Sequence, residues 1–237
     1  MLEYQIIRSA RRKTLGLQVK QGKVIVRAPD FLTDKQIHSF INEKTAWLKA
    51  KVDLQQLQPE LKPPSFTHGC SLLIYGEQKK LTIAYQPKAQ ILNLNNEFCV
   101  ILPSRNRAVN GQLSSIEISQ KNVKKQLEKW FKEKATSYIS TRLVELSKQT
   151  QLLPKSFKVR QYKARWGSCN NRGELSFNYL LMMAPFWVVD YVIVHELCHL
   201  THLNHSREFW RLVALHSPNF QQAQDWLKTH QRQLIWH

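Results

Sequence analysis

His195-Glu196-Leu197-Cys198-His199 puts two imidazoles four residues apart, with a carboxylate directly after the first. On an α-helix, residues at i and i+4 project from one face, so both rings can offer a nitrogen to a single ion. Zinc accepts neutral imidazole at about 2.0–2.1 Å, prefers tetrahedral surroundings, and keeps one position for water in catalytic sites. Glu196 stands where its carboxylate can reach that water without joining the ligand set. It is therefore the expected general base, taking the water's proton as the oxygen attacks an electrophile. The spacing predicts a zinc-dependent hydrolase. Its setting supports this: Val188, Val189, Val192, Ile193 and Val194 make the segment before the motif apolar. Titratable groups placed in an apolar helix need compensation, and a metal ion supplies it.

A catalytic zinc needs a third protein ligand, and His202, His205 and Glu208 are the candidates. His202 follows His199 by three residues and points about 60° from the midline of the ligand face. His205 comes into place if the chain turns after about Leu203, with Asn204 tolerating the left-handed conformation that ends helices. Ser206 then caps the next helix, which favours that break. Glu208 falls in the first turn of that helix, where a carboxylate is accounted for by the helix dipole. The spacing favours His205. Cys198 faces away from the histidines and reads as a small core residue. Arg165 or Tyr162 is a candidate for stabilising negative charge in the transition state. Trp166-Gly167-Ser168 reads first as a tight turn and second as a pocket rim.

These groups need a scaffold. Strands are predicted at 5–8, 15–19 and 24–27, with Gln21-Gly22 as a turn. Thr33 can cap a helix running to about Val52, with Ile37, Phe40, Ile41 and Leu48 on one stripe. Residues 58–64 read as a proline- and charge-rich connector. Strands follow at 71–75, 80–85, 91–94 and 98–102, then a long helix over about 120–149. Two strands, 157–162 and 174–179, flank a tight connection at 166–173. Pro185 suits the first turn of the helix bearing the metal motif, and helices at 206–215 and 220–231 complete the chain. The fold class is α+β, with a β-rich region over 1–115 and a catalytic, helix-rich region over 116–237. No internal repeat is evident.

The chain has 237 residues, 35 Lys and Arg against 17 Asp and Glu, and a formal net charge of +18. Such a charge favours polyanions, so nucleic acid or nucleotide phosphates join peptides as candidate partners. Arg8, Arg11, Arg12, Lys13, Lys20, Lys23 and Arg27 crowd the first strands, as a solvated face or a phosphate-gripping one. No stretch approaches 18 uninterrupted apolar residues, so no membrane span is expected. The start has no apolar signal-peptide core, and the four cysteines show no CxxC spacing. A cytoplasmic protein with reduced thiols is the expectation.

The run from Asp190 through His195-Glu196-Leu197-Cys198-His199, Asn204-His205-Ser206 and Phe209-Trp210 resembles the YgjP-like metallopeptidases. These are relatives of the SprT and WSS proteins within the zincin fold. Arg165-Trp166-Gly167-Ser168-Cys169, the 174–180 strand, Arg11-Arg12-Lys13, Ala28-Pro29 and Trp47 also match that family's pattern. The resemblance implies a zincin-like catalytic half, zinc held by His195, His199 and His205, and Glu196 as base. It further implies that an extended substrate adds as a strand along residues 174–179. Metzincins share the spacing to the third histidine, but position 202 is His where they carry Gly, and no methionine follows Met183.

Three functions fit this reading. In the first, a peptide carbonyl is hydrolysed. In the second, the same site attacks phosphorus and splits nucleoside triphosphates to monophosphate and pyrophosphate, as the charge suits. The third is a basic protein associated with nucleic acid. Metal and motif do not choose the substrate.

Overall fold

The computed structural model describes residues 3–20, 22–56, 65–106 and 113–236. The chain divides into two compact units, Met1–Leu61 and Lys62–His237. The connector expected at 58–64 lies outside the described residues. The boundary expected at 115–116 falls inside the second unit, because sheet residues Leu81, Phe98 and Val100 share one core with the helix residues Val123, Leu127 and Phe131.

In the first unit, β1 (Tyr4–Ser9), β2 (Gly16–Lys20) and β3 (Lys23–Pro29) form a sheet in the order β1-β3-β2. β1 runs parallel to β3, and β2 pairs with it as a hairpin. Gly22 takes the turn at φ 72°, a conformation that glycine adopts without penalty. Alternation buries Val24, Val26 and Ala28 of β3 against Ile37, Ile41, Leu48 and Val52. The single helix expected from Thr33 is two: α1 (Asp34–Glu43) and α2 (Thr45–Gln56). Thr33 and Gln36 form the reciprocal capping box at the start. Lys44 interrupts the helix at φ −101°, ψ 6°. No Gly or Pro marks that break, and the apolar stripe runs across it unbroken.

In the second unit, β4 (Ser71–Ile74), β5 (Glu77–Gln86), β6 (Gln90–Asn93) and β7 (Glu97–Pro103) form a sheet in the order β4-β5-β7-β6. The helix α3 (Leu113–Thr150) follows, burying Val123, Leu127, Phe131, Ala135, Ile139, Leu143 and Leu146 at four-residue steps with a last step of three. Next come β8 (Ser156–Arg160), β9 (Gly167–Cys169) and β10 (Glu174–Asn178), in the order β8-β10-β9. A 3-10 turn, Tyr179–Met183, leads into α4 (Phe186–Cys198). The two last helices are α5 (Arg207–His216) and α6 (Phe220–His230).

α4 is buried on nearly every face, as its apolar run requires. Its one acidic residue before the motif, Asp190, is paired from α3: Arg142 Nη2 donates at 2.7 Å and the Tyr138 hydroxyl at 2.8 Å. Pro185 precedes α4 as its N-cap, one position before the first turn expected for it. A Cβ on Gly76, at the β4–β5 turn, would stand 2.4 Å from Pro185 Cγ. Tyr75 and Gly76 also donate backbone hydrogen bonds to Met182 and Met183 at 2.9 and 2.8 Å. The first sheet of this unit thus clamps the segment that enters the metal-motif helix.

The tight connection expected over 166–173 contains a strand. Gly167, Ser168 and Cys169 pair antiparallel with Phe177, Ser176 and Leu175. Asn170 makes the turn, its Oδ1 accepting from the backbone of Arg172 and Glu174 at 3.0 Å each. Gly173 closes it at φ 75°. β10, the strand expected to receive substrate, is central; β9 is the free edge on the side of the motif. Among the described residues, no helix is long and apolar enough to cross a membrane.

Candidate metal centre

His195 lies in the last turn of α4, and His199 is its C-cap. The helix therefore stops before the break expected near Leu203, and residues 199–202 coil back through bonds to the Leu197 and Cys198 carbonyls. That earlier turn leaves room for His205 to come over the motif. Ser206 caps α5, its hydroxyl accepting from Phe209 N at 3.3 Å. One nitrogen from each of His195, His199 and His205 falls within a sphere of mutual distances up to 4.8 Å. His202 and Glu208 are outside this cluster. His202 instead supplies its carbonyl, 2.9 Å from His199 Nδ1. Glu208 is exposed, and its carboxyl is held below the usual range by its own backbone N–H and by Ser206.

Phe209, fully buried in α5, meets all three rings, with centroids 4.9, 4.5 and 4.8 Å from those of His195, His199 and His205. Trp210 stacks on His205 at 5.5 Å. These rings fix the imidazole orientations, as does the carbonyl accepting from His199 Nδ1. Sequence reasoning did not single out Phe209 or Trp210 as supports, though their position after the capped turn held the clue.

Burial lowers the His195 pKa to about 3, with His199 and His205 adding to the effect. Burial also lowers that of His199. Neutral imidazole is the form that binds metal. Glu196 is 5% exposed, and burial pushes its carboxyl up to about 8 against the opposing pull of Arg165. Its Oε2 is buried without a hydrogen-bond partner. An orphaned carboxylate oxygen is costly unless something else completes it. Cys198 is buried and its thiol is pushed up to about 12, the behaviour of a core residue.

Glycine at 167 is what allows Glu196 to sit here. A Cβ at that position would lie 2.5 Å from Glu196 Oε1 and 2.6 Å from Cγ. The edge strand and the carboxylate are thus in direct apposition, a role that neighbouring residues in the sequence do not advertise. A cavity of about 430 Å³ opens beside them, lined by the three histidines, Glu196, residues 165–169 and apolar groups including Leu203 and Leu227.

The donor set suits a metal ion. Tetrahedral nitrogens about 2.0–2.1 Å from an ion stand about 3.3 Å apart, and His195 Nε2 and His205 Nε2 are 3.1 Å apart. The sequence pattern of the YgjP-like metallopeptidase domain matches residues 13–230. The chain belongs to this family of metallopeptidases. No curated protein matches the chain. Among solved structures, the crystal structure of the metallopeptidase zymogen of Pyrococcus abyssi abylysin aligns with 20% identity and a TM-score of 0.36, covering 38% of this chain and 92% of that one.

Proposed function

We propose that the protein is a zinc metallopeptidase in which His195, His199 and His205 hold the ion and Glu196 is the general base. The observation that carries this reading is the convergence of three imidazoles beside a buried carboxylate with an unpartnered oxygen, at the wall of one cavity. Zinc, when bound, supplies Lewis acidity that polarises a carbonyl and acidifies water. The chain's own groups do the rest. His199 is oriented by the His202 carbonyl. Glu196 takes a proton from water at its carboxylate and delivers it to the leaving amine. Its raised proton affinity, caused by burial, suits both halves of that transfer near neutral pH. β9, the free edge beside Glu196, is the strand along which an extended peptide pairs its backbone.

The test is metal content and cleavage of an unstructured protein by wild type, His195→Ala and His205→Ala. The expected result is zinc near one per chain in wild type, lost with activity in both variants. Unchanged zinc in His205→Ala would reopen His202 and Glu208. Pyrophosphate release from nucleoside triphosphates, with no peptide cleaved, would replace the reading with the phosphoanhydride chemistry that the net charge raises.

A further inference from the structure

Beyond the metal, the cavity has two kinds of lining. Tyr191, Val192, Leu203 and Leu227 present apolar surface, whereas Arg165 is the one Lys or Arg side chain among its lining residues. Arg165 is exposed and forms no ion pair with a carboxylate among the described residues. Its neighbours place it. Its guanidinium carbon lies 5.6 Å from the centroid of the Tyr162 ring, and that of Arg160 lies 5.0 Å from the same ring. The ring is itself tethered, the Tyr162 hydroxyl standing 2.7 Å from Ser168 Oγ on the edge strand. The backbone on both sides is pinned by Asn178, whose Nδ2 donates to the carbonyls of Tyr162 and Arg165 at 3.1 and 3.3 Å.

A planar fork held over an aromatic face, open on its donor side and next to a peptide-binding edge, matches one chemistry well. Guanidinium presents paired N–H donors that fit a carboxylate bidentately, and stacking on an aromatic ring lowers the entropy lost in doing so. The tyrosine hydroxyl is already engaged by Ser168, which leaves Arg165 as the group free to meet a substrate. We infer that Arg165 is a specificity-determining residue that receives a substrate carboxylate beside the scissile bond, with Tyr162 as its positioning residue. The carboxylate comes from an acidic side chain or from a free C-terminus. This inference rests on the metallopeptidase reading.

The experiment uses the full-length, zinc-replete protein and a peptide with a single cleaved bond. Glu replaces the parent residue at each flanking position in turn, with Gln as its neutral match, and the C-terminus is supplied as acid or amide. Wild type is expected to show a KM about tenfold lower for the favoured carboxylate than for its neutral match, with kcat within twofold. The Glu and Gln arm identifies a side chain, and the acid and amide arm identifies a terminus. Arg165→Ala is expected to raise KM for the charged peptide about tenfold and so erase its difference from the neutral match. Arg165→Lys is expected to restore little of it, because the fork is lost. Cleavage with no dependence of KM on any carboxylate overturns the inference and leaves the metallopeptidase reading standing. A KM difference that survives in Arg165→Ala, with kcat lowered equally on all peptides, also overturns it, assigning Arg165 to the transition state. Failure of wild type to cleave any peptide overturns both.

Discussion

The sheet of the first unit and the sheet beside the metal centre share one plan. In each, the first strand runs parallel to the third, the second forms a hairpin with the third, and a helix follows. β5, β6 and β7 repeat it once more. The correspondence reaches single residues. Gly16 and Gly167 each begin the edge strand, and Gly22 and Gly173 each take the turn at positive φ. Yet what stands behind the edge-strand glycine differs. At Gly16, an added Cβ would meet the far end of Arg12, 2.9 Å from Nη2, which can swing aside. At Gly167 it would meet Glu196, held on a buried helix. The same topology backs onto a flexible side chain in one place and onto a buried carboxylate in the other. The strand arrangement positions groups, and the side chains packed behind it decide whether they do chemistry.

The two glycines separate these roles most sharply. Gly167→Ala is expected to lower kcat by about a hundredfold with metal content unchanged, since a displacement of about 1 Å of a catalytic group costs that much. Gly16→Ala is expected to leave kcat within twofold. Equal effects of the two, by steady-state kinetics, would show that Gly167 has no special relation to Glu196.

A second contrast lies in how each region tolerates charge. In metal-free protein, Glu196 keeps its proton to about pH 8 when folded but releases it near 4.5 when unfolded. Folding therefore weakens as pH rises from about 4.5 to about 8 and levels off above. Glu196→Gln removes this cost, which is about 1.4 kcal/mol for each tenfold gain in proton affinity on folding. The metal-free variant is expected to melt higher than metal-free wild type at pH 8.5, with the gap closing below pH 4.5. A gap that stays constant with pH, by thermal melts, contradicts the buried carboxyl.

The helix pair is a smaller effect. Asp190→Asn is expected to cost about 2 kcal/mol, by urea denaturation, because Arg142 and Tyr138 lose their charged acceptor in a half-buried setting. The exposed pair of Arg8 with Asp34 in the first unit is expected to contribute under about 1 kcal/mol.

Much of the scaffold was legible in the sequence, because alternation and helical stripes are local signals. Nine of the strands lie where their patterns put them, to within a few residues, and the long helix ends where expected but begins seven residues earlier, at Leu113 and not at 120. The gathering of His205 with His195 and His199 was legible through the Ser206 cap, which marks a new helix and hence a turn before it. Other features were not. β9 spans Gly167, Ser168 and Cys169, too short for a period-two pattern and too rich in turn residues to read as a strand. The break at Lys44 has no Gly or Pro to mark it. The apposition of Gly167 and Glu196 joins residues far apart in the chain, so only packing discloses it. The recurrence of the sheet plan leaves almost no trace in the residues, since topology constrains directions more than side chains.

The central claim is that Glu196 acts on the reaction and not on the ion. The most direct test measures bound metal and peptide cleavage together in Glu196→Gln. Metal per chain is expected to equal wild type, while kcat falls by about 10²–10⁴. Wild-type turnover in the metal-replete variant, or loss of the metal with the carboxylate, would contradict the account.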